Sequence, residues 1–437
     1  MPMSGLTRAQ ADVRYAKVGV SMPNRYNVSA NYGARWDACS NSLAANGTFS
    51  VQALPGLSAL SSVLITPAGQ AFGRYLLPAA IDWSFIDYIY VPVIPRDVST
   101  GRSISFWLQV YFDTGYANYA QYQIDLDSLA PGQLSVVAVN LKNLASVVAG
   151  SKQDGYLSIT GTANWANVVG FGIRMTASSG ASADNYLYIG DMLTDQRSQP
   201  RVMIGFDGNY LTQWKSAAPL LKKYDTPATF YLQKYQLGFT GSNRMSLAMV
   251  QQLVANGHKA ALHSYSKDLD TTNNTTFPTA ASITAEITGF VQWANSVGLP
   301  VIANHACVAI ASPWETPPDF ATAKKAIDGY TGGALTSVRL SAQNYNPMRP
   351  HAPAAYKGFC INTMQINASS NNADISTFLN AAVDAGGVCS LYTHDVLPNG
   401  SSVSGTQILV SQLDYTLSTI ATLRSQGKLQ VVTPDQI

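Results

Sequence analysis

The segment Arg201–Leu232 decides the fold of this chain, and it reads RVMIGFDGNYLTQWKSAAPLLKKYDTPATFYL. An apolar stretch ends at Phe206 and Asp207, an amphipathic stretch follows, and a second apolar stretch ends at Leu232. This pattern predicts two strands joined by a helix. Because β/α barrels place their chemistry at the carboxyl ends of successive parallel strands, Asp207 marks a candidate site.

The same alternation of strand and helix signals continues to the end of the chain. Gln196–Pro200 is a polar joint, and residues 198–437 are predicted to form one domain after it. Helices are predicted at residues 212–224, 246–256, 281–297, 319–328, 372–385 and 406–426. Strands are predicted at residues 202–206, 228–232, 259–263, 300–304, 336–340, 358–362, 388–393 and 429–432. The repeat predicts a parallel β/α barrel of seven or eight units.

Residues 26–197 have a different pattern, with strand signals at close spacing. Ile86–Val93 and Ser103–Phe112 are rich in β-branched and aromatic residues, whereas Val168–Met175 and Tyr186–Leu193 alternate apolar with small or polar residues. Clusters of Gly, Pro, Asp, Asn and Ser separate these stretches. The pattern predicts an antiparallel β-sandwich, similar to the jelly-roll modules that bind carbohydrate in extracellular enzymes.

Three tryptophans in this half of the chain leave two interpretations open. Trp83, Trp107 and Trp165 are either core residues or exposed aromatic rings that stack on sugar faces. Because large aromatic side chains are mostly well buried, the core interpretation is favoured for each of them.

Composition limits the class of protein. Hydrophobic residues make up 46% of the chain and charged residues only 12%, below the roughly 25% usual in soluble domains. Such a surface is typical of β-rich extracellular or virion proteins. The net charge of +2 gives no electrostatic reason to expect nucleic acid or an anionic membrane as partner. No apolar run reaches about 18 residues and no apolar leader is visible, so we expect neither membrane insertion nor a signal peptide.

The cysteines Cys39, Cys307, Cys360 and Cys389 are scattered along the chain. None of them has the close spacing of a zinc finger or a redox pair, so the sequence predicts buried free thiols. A disulfide framework is not expected in a chain of 437 residues.

The N-terminal residues carry a short resemblance. Leu6–Gly19, LTRAQADVRYAKVG, resembles a segment found near the attachment or trimerisation region of bacteriophage tail-fibre and tail-spike proteins. The resemblance implies that residues 1–25 form an attachment segment and that the chain is a homotrimer in the virion tail, with tail or baseplate proteins as partners. The alternative is a polar leader without such a role.

Two segments of the second half resemble polysaccharide deacetylases, the NodB-like domain of carbohydrate esterase family 4. Leu221–Tyr231 is similar to the start of the family's second strand, and Gly257–Ser266 is similar to its metal-binding segment. The resemblance implies a distorted (β/α)7 barrel that removes acetyl groups from sugars with the help of a divalent metal, usually zinc.

The first motif of this family is Phe-Asp-Asp-Gly-Tyr, and Phe206–Tyr210 aligns with it without a gap. The resemblance assigns the role of catalytic base to Asp207. It places Gly208 where the family has a carboxylate that binds the metal. Tyr210 is then expected to bind substrate.

The second motif supplies two imidazoles to the family's metal. Its first position is His263, but its second is Lys267, whose positive charge would repel zinc. Because a catalytic zinc needs three protein ligands, Asp207, Asp268 or His305 would have to complete a rearranged site around His263. The alternative is that the protein binds no metal.

Two further segments resemble the family. Leu391–Val396 is similar to its Leu-x-x-His segment, which assigns the general acid to His394, with a neighbouring carboxylate to hold its pKa near working pH. Ser337–Pro347 is similar to a loop of bacterial and phage-borne relatives. In this loop Arg339 is expected to orient a carboxylate or, together with Tyr345, to bind substrate.

These observations lead to three hypotheses. The first is a phage tail-spike-like hydrolase that recognises a bacterial surface polysaccharide, capsule or O-antigen, and removes acetyl groups. The second is a catalytically silent receptor-binding protein with a degenerate deacetylase barrel, which Gly208 and Lys267 motivate. The third is a metal-independent hydrolase in which the Lys267 ammonium takes the place of the metal ion.

Overall fold

The computed structural model describes parts of the N-terminal half and most of the C-terminal half. The described residues are 24–26, 37–38, 48–53, 61–66, 70–95, 104–125, 135–144, 155–177, 187–189, 192–194, 199–239, 243–266, 280–307, 335, 337–339, 360–361 and 363–437. The predictions for Leu6–Gly19, for a helix at 319–328 and for Lys267, Asp268 and Tyr345 fall outside these residues.

The N-terminal half contains two antiparallel sheets. Their strands are β1 (Asn24–Tyr26), β2 (Asp37–Ala38), β3 (Thr48–Ala53), β4 (Ser61–Thr66), β5 (Gln70–Ile81), β6 (Tyr88–Pro95), β7 (Ile104–Tyr111), β8 (Tyr119–Asp125), β9 (Ser135–Asn140), β10 (Gly155–Thr160), β11 (Val168–Ala177), β12 (Leu187–Ile189) and β13 (Met192–Thr194). One sheet has the order β1-β13-β6-β12-β4-β3, with β9 paired to β6, and the other has the order β10-β8-β7-β11-β5-β2.

One hydrophobic core takes residues from both sheets, because alternation along each strand places its apolar side chains on one face. On β7, the side chains of Phe106, Leu108 and Val110 are fully buried in this core. Val91 of β6 and Ile189 of β12 enter the same core from the other sheet. The jelly-roll-like order of the whole N-terminal half stays a prediction.

The tryptophans of this half do not share one environment. Trp83 is fully buried in the core, as favoured, and Trp165 packs against that core with its ring edge-on to Phe112. Trp107 alternates with core residues on β7, so its ring lies on the opposite face of the sheet. There the guanidinium carbon of Arg174 lies 4.5 Å from the ring centroid. The core interpretation is therefore wrong for Trp107.

The C-terminal half is a parallel sheet with helices packed around it. Its strands are β14 (Arg201–Asp207), β15 (Thr229–Gln233), β16 (Lys259–Ser264), β17 (Ile302–Cys307), β18 (Ser337–Arg339), β19 (Cys360–Ile361), β20 (Thr363–Gln365), β21 (Val388–Thr393), β22 (Asp395–Leu397), β23 (Gln407–Leu409) and β24 (Gln430–Val431). Its helices are α1 (Ala218–Lys223), α2 (Leu247–Ala255), α3 (Ala280–Ser296), α4 (Asn372–Ala385) and α5 (Val410–Ser425), with a π-helical turn at Gln213–Ala217 and 3-10 turns at Lys234–Gln236 and Pro434–Gln436. Within the described residues, no helix combines the length and the apolar character that a membrane crossing needs.

The strand order β19-β18-β17-β16-β15-β14-β21-β20 makes this sheet nearly closed, because its two end strands are neighbours in the chain. β19 pairs with β18, β20 pairs with β21, and a single residue separates β19 from β20. β24 pairs with β14 outside this order, and every pairing in the sheet is parallel. The predicted β/α barrel is thus confirmed as a nearly closed, parallel, barrel-like sheet.

Alternation along β14 separates the two faces of this sheet. Val202, Ile204 and Phe206 pack into the large core beneath the helices, and burial of each such side chain stabilises the fold by about 1.5 to 3 kcal/mol. Gly205 and Asp207 point to the other face, toward the barrel interior, where Gly205 adjoins two tyrosine rings. The last inward position of the strand is therefore the carboxylate of Asp207.

Capping side chains mark the N-termini of two helices. Two of the predicted element boundaries are wrong. Ser246 caps α2 by accepting a backbone N–H, and Asn371 with Asp374 forms a capping box at α4. The predicted helix at 406–426 begins instead with strand β23 and becomes helical only at α5. The predicted strand at 300–304 is displaced to β17, whose register against β16 is irregular.

Candidate active site

Four polar side chains lie at the carboxyl-terminal edge of the barrel-like sheet. Asp207 ends β14, His263 lies at the end of β16, Arg339 ends β18, and His394 directly follows β21. The first three are buried, and His394 is partly exposed. The fold therefore brings the predicted base, the predicted first metal ligand and the predicted acid to one edge, although they are far apart in sequence.

The closest contact at this edge joins Asp207 and Arg339. The Nη2 of Arg339 donates to Asp207 Oδ1 at 2.7 Å and to Oδ2 at 2.6 Å. The guanidinium carbon lies 3.9 Å from the centroid of the Tyr392 ring and 4.6 Å from that of Tyr231, which are cation–π distances. Gly205 leaves room for these rings, because a Cβ there would lie 3.0 Å from Tyr231. Two aromatic rings thus hold a fixed cation beside the carboxylate.

Burial and charge act against each other in this pair. The side chain of Arg339 has no exposed surface. Burial disfavours its charge, but the carboxylate of Asp207 outweighs burial and raises the pKa of the guanidinium above its ordinary value. The prediction that Arg339 orients a carboxylate is confirmed by this contact. The alternative, in which Arg339 binds substrate, stays a prediction.

The turn after β14 disfavours a second carboxylate. Gly208 has a φ of +82°, a left-handed conformation that side chains rarely adopt, and a Cβ there would lie 2.9 Å from the Tyr210 ring. Arg244 donates to the Gly208 carbonyl, and its guanidinium carbon lies 3.9 Å from the centroid of the Tyr210 ring. Tyr210 is partly exposed and meets the ring of His394 edge-on, with 6.4 Å between the centroids. The role of Tyr210 in binding substrate stays a prediction.

A thiol that the sequence had not marked as functional lies beside these groups. Cys307 ends β17, and its sulfur together with donor atoms of Asp207 and His263 forms a group in which all donors lie within 4.8 Å of one another. The Nε2 of His263 is 4.0 Å from Asp207 Oδ2. A carboxylate, an imidazole and a thiolate are all ligands of divalent metals. In the described part of the chain, this group fits the donor chemistry of such a metal.

His305 is close in sequence to Cys307 but is not placed to bind a metal. Its Nε2 lies 2.9 Å from the hydroxyl of Tyr231, and its Nδ1 lies 2.8 Å from the hydroxyl of Ser337. Both ring nitrogens therefore take part in hydrogen bonds. Burial, aided by the charge of Arg339, lowers the pKa of His305 to about 3, so the ring is neutral. The prediction of His305 as a possible ligand is wrong, and the residue links β15, β17 and β18.

His394 is neutral near pH 7. Burial lowers its pKa to about 4, and this shift is opposed by Asp207 but increased by His263, Arg339 and Arg244. The expectation that a neighbouring carboxylate keeps this pKa near working pH is therefore wrong, because burial outweighs the attraction of Asp207. The ring is a base in the resting protein rather than a ready acid.

Side chains from the π-helical turn region fix the segment that carries His394. Gln213 Nε2 donates to the carbonyl of Asp207 at 2.6 Å and to the carbonyl of His394 at 2.8 Å. The hydroxyl of Thr212 donates to the carboxylate of Asp395. These hydrogen bonds connect the end of β14 to the end of β21. The carboxylate of Asp395, next to His394 in the sequence, accepts one of them.

A family model agrees with the resemblance seen in the sequence. Residues 194–348 match the model described as Polysaccharide deacetylase. This stretch is roughly a third of the chain and includes Asp207, His263, Cys307 and Arg339, but not His394. A search of curated proteins finds no match.

Solved structures of carbohydrate-active proteins are similar to parts of the chain. The Xyl-CE4 domain of a multidomain xylanase from the hindgut metagenome of Trinervitermes trinervoides is 19% identical, with a TM-score of 0.32 over 55% of this chain and 89% of that one. The family 4 acetyl xylan esterase from Clostridium thermocellum, in complex with cobalt, is 19% identical, with a TM-score of 0.31 over 54% and 89%. The family 11 carbohydrate-binding module from Clostridium thermocellum, in complex with a mixed-linked tetrasaccharide, is 14% identical, with a TM-score of 0.28 over 39% and 94%.

Proposed function

We propose that the barrel, a polysaccharide deacetylase domain and hence a carbohydrate esterase, removes acetyl groups from a bacterial surface polysaccharide. The observation that carries this proposal is the meeting of two groups at one edge of the barrel. One is the carboxylate of Asp207, paired with Arg339, and the other is the neutral imidazole of His394. Hydrolysis of an acetyl ester or amide needs a group that takes a proton from water and returns it to the leaving oxygen or nitrogen.

In this mechanism His394 moves the proton. The side-chain amide of Gln365 lies 3.4 Å from its Nδ1, so Nε2 is the nitrogen that exchanges protons with the reactants. Nε2 takes a proton from water while the water oxygen bonds to the acetyl carbon. The bond from that carbon to the sugar oxygen or nitrogen then breaks, and Nε2 returns the proton to the sugar. The products are acetate and a free hydroxyl or amine.

Asp207 is held in place by its ion pair. Both of its oxygens accept hydrogen bonds from Arg339. The same carboxylate favours the charged form of His394, so it stabilises the imidazolium that forms during the transfer. A divalent metal bound at Asp207 and His263 would polarise the acetyl carbonyl and lower the pKa of the attacking water.

The experiment is acetate release from O-acetylated or N-acetylated capsule and O-antigen. We expect wild-type protein to release acetate, and Asp207→Ala and His394→Ala to release little. Binding of the same glycans is measured in parallel. If the protein binds a glycan whose acetyl groups it never removes, the hydrolase proposal is rejected.

We propose that the glycan is held by one face of the six-stranded sheet, which we name the polar sheet face. Its members point away from the hydrophobic core or border that surface, and they are Arg74, Trp107, Gln109, Tyr111, Tyr116, Gln121 and Arg174. Amide and hydroxyl groups bind sugar hydroxyls, and aromatic rings stack on sugar faces. The two arginines would favour a glycan that carries carboxylates.

Hydrogen bonds within β7 and between β7 and β8 support this role of the polar sheet face. Tyr111 donates to Gln109 at 2.6 Å, and Gln109 donates to Gln121 at 2.8 Å. Gly172 is paired with Gln109 in the sheet, and a Cβ there would lie 2.6 Å from the Tyr111 hydroxyl. Glycine thus leaves space for a row of fixed polar groups, in which Gln109 and Tyr111 are buried and the neighbouring Trp107, Gln121 and Arg174 are partly exposed.

Affinity electrophoresis in gels that contain the polysaccharide tests the polar sheet face. We expect Trp107→Ala and Arg174→Ala each to weaken retardation of the protein at least tenfold. Phe85→Ala is the matched control, because Phe85 is an aromatic residue of the same half that is 57% exposed outside this face. Equal binding by all three variants would place glycan recognition elsewhere.

The setting that we propose is a bacteriophage tail, with the chain as a homotrimer bound to tail or baseplate proteins. What supports it is the similarity of Leu6–Gly19 to tail-fibre segments and the low share of charged residues, 12%. Multi-angle light scattering tests the assembly. A mass of three chains is expected, and a monomer at all concentrations would contradict it.

A second candidate is a receptor-binding protein that holds the glycan without cleaving it. The turn at Gly208 favours this candidate, because a carboxylate at this position would be strained. Acetate release separates the two candidates, since both predict binding and only the first predicts product.

A further inference from the structure

We infer that Asp207, His263 and Cys307 form a divalent metal site in which a cysteine thiolate from β17 is the third protein ligand. The site takes zinc or cobalt in preference to magnesium or calcium. It lies at the same barrel edge as the proposed hydrolase centre and deepens that proposal. Metal binding is measured without any substrate, so its failure is distinguishable from a failure to release acetate.

The three donor atoms are close enough for a metal to draw them together. They lie within 4.8 Å of one another, and the Asp207 Oδ2 to His263 Nε2 distance is 4.0 Å. Tetrahedral bonds of about 2.0 to 2.3 Å place ligand atoms roughly 3.3 to 3.8 Å apart. Side-chain shifts on the order of 1 Å are therefore sufficient. The side chain of Cys307 is 1% exposed, so the ligands belong to packed strands rather than to loops.

Cys307, at the end of β17, supplies the metal ligand that the turn after β14 lacks. Gly208 has the left-handed φ and the close Tyr210 ring described above, so a side chain with a carboxylate would be strained there. In β17 the register shifts, because Ala261 pairs with Ile302 while the next residue of β16 pairs four residues further along. This irregularity carries Cys307 to the strand end, level with the other donors.

The charges at the site partly offset a divalent cation. A carboxylate and a thiolate together carry two negative charges, and the guanidinium of Arg339 offsets one of them. The Nη2 of Arg339 uses one lone pair on each oxygen of Asp207, which leaves further lone pairs for a metal. Cys307 and Arg339 are paired across β17 and β18, so a cation lies beside the strand position of the thiol.

The donor set predicts the identity of the metal. Thiolate and imidazole ligands select zinc and related transition metals, whereas magnesium and calcium prefer oxygen ligands. A site with one oxygen, one nitrogen and one sulfur donor is therefore expected to exclude the two common hard cations. The family resemblance implied a metal without a thiolate, so the sulfur is the diagnostic feature.

The experiment loads the full chain with zinc or cobalt, dialyses it, and measures metal content and the cobalt absorption spectrum. We expect about one equivalent of metal and a thiolate-to-cobalt charge-transfer band in the near ultraviolet. Cys307→Ser should lose the band and weaken retention at least tenfold. Cys389→Ser is the matched control, because Cys389 is also a fully buried thiol but faces the helices rather than the donor group. It should keep both the band and the metal.

Three results would overturn the inference. They are no retained metal in wild-type protein, a cobalt spectrum without a thiolate band, and an unchanged spectrum in Cys307→Ser. If Cys307→Ser does not fold, the wild-type spectrum alone decides whether sulfur binds the metal. A circular dichroism spectrum of Cys307→Ser equal to that of Cys389→Ser shows that loss of metal is not loss of fold.

Discussion

The residues at the edge of the barrel fall into two groups, which differ in whether sequence motifs identify them as functional. On the motif side, β14, β16 and β21 carry Asp207, His263 and His394 at positions that resemble a known family. On the replacement side, β17 and β18 carry Cys307 and Arg339, which no family motif of the sequence marks as metal ligand or buried cation. The motif side carries Asp207 but has Gly208 where the resembled family has a second carboxylate. The replacement side adds a thiol, as a proposed metal donor, and a guanidinium cation. Because all strand ends meet at one edge, a group lost from one strand can be supplied by another.

The largest effect is expected from His394→Gln, which breaks the motif side. Loss of the proton-transfer group should lower kcat for acetate release by about 10² to 10⁴-fold. His394 is partly exposed, so we expect the folded structure to persist. Steady-state kinetics with an acetylated oligosaccharide, together with far-ultraviolet circular dichroism, measure both quantities. A kcat within threefold of wild type would remove His394 from the mechanism.

Arg339→Met breaks the replacement side. It leaves Asp207 buried without its cation, so we expect the free energy of unfolding to fall by about 3 to 5 kcal/mol. Zinc should recover part of this loss if metal and guanidinium share the carboxylate. Urea denaturation with and without zinc gives both numbers.

The control for Arg339→Met is Lys223→Met, because Lys223 forms an exposed ion pair with Asp414 at 2.8 Å. Exposed pairs contribute little to stability, so this variant should lose much less than Arg339→Met. Similar losses in the two variants would show that the buried pair has no special role.

The pH dependence of the free energy of unfolding tests one histidine from each side, His394 after β21 and His305 on β17. The pKa of His394 is about 4 in the folded protein against an ordinary value of 6.5, so the unfolded chain binds more protons between these values. Stability should therefore fall as the pH drops from about 6.5 to 4, by about 2 to 3 kcal/mol for this group. His305, with a pKa of about 3, acts in the same direction.

Melting temperatures at several pH values between 7 and 4 measure this effect. His394→Gln and His305→Gln should each flatten the curve, because each removes a group that the fold keeps neutral. A slope unchanged in both variants would show that other groups set the acid sensitivity.

Gly208→Asp restores the family's carboxylate on the motif side and has the smallest expected effect. Both the left-handed φ of +82° and the nearby Tyr210 ring oppose it, so we expect a loss of about 1 to 3 kcal/mol and no gain in metal binding. Gly257→Asp is the control, because Gly257 has a φ of +94° but nothing within 4 Å of a Cβ. The difference between the two variants measures the clash. Tighter zinc binding by Gly208→Asp would contradict a closed turn.

Local patterns were sufficient to predict the barrel and the motif side. Alternation of apolar strands with amphipathic helices depends on neighbouring residues, and it predicted β14, β15 and β16 to within a few residues. The family motifs placed Asp207, His263 and His394 at strand ends, and the parallel sheet brings strand ends together. The roles of these residues in catalysis stay predictions.

The replacement side depends on contacts that no local pattern contains. The predicted strand at 300–304 stopped before Cys307, because the register shift of β17 arises from its pairing with β16. The sequence suggested that Arg339 orients a carboxylate but not that this carboxylate is Asp207. The lowered pKa of His394 likewise follows from burial by the assembled barrel rather than from the adjacent Asp395.

The most direct test of a working centre with a relocated ligand is acetate release before chelation, after chelation, and after zinc is returned. We expect wild-type protein to lose activity on chelation and to regain it with zinc, and we expect Cys307→Ser to stay inactive while Cys389→Ser behaves like wild type. Acetate release that survives complete removal of metal, or that Cys307→Ser supports as well as wild type does, would contradict this account.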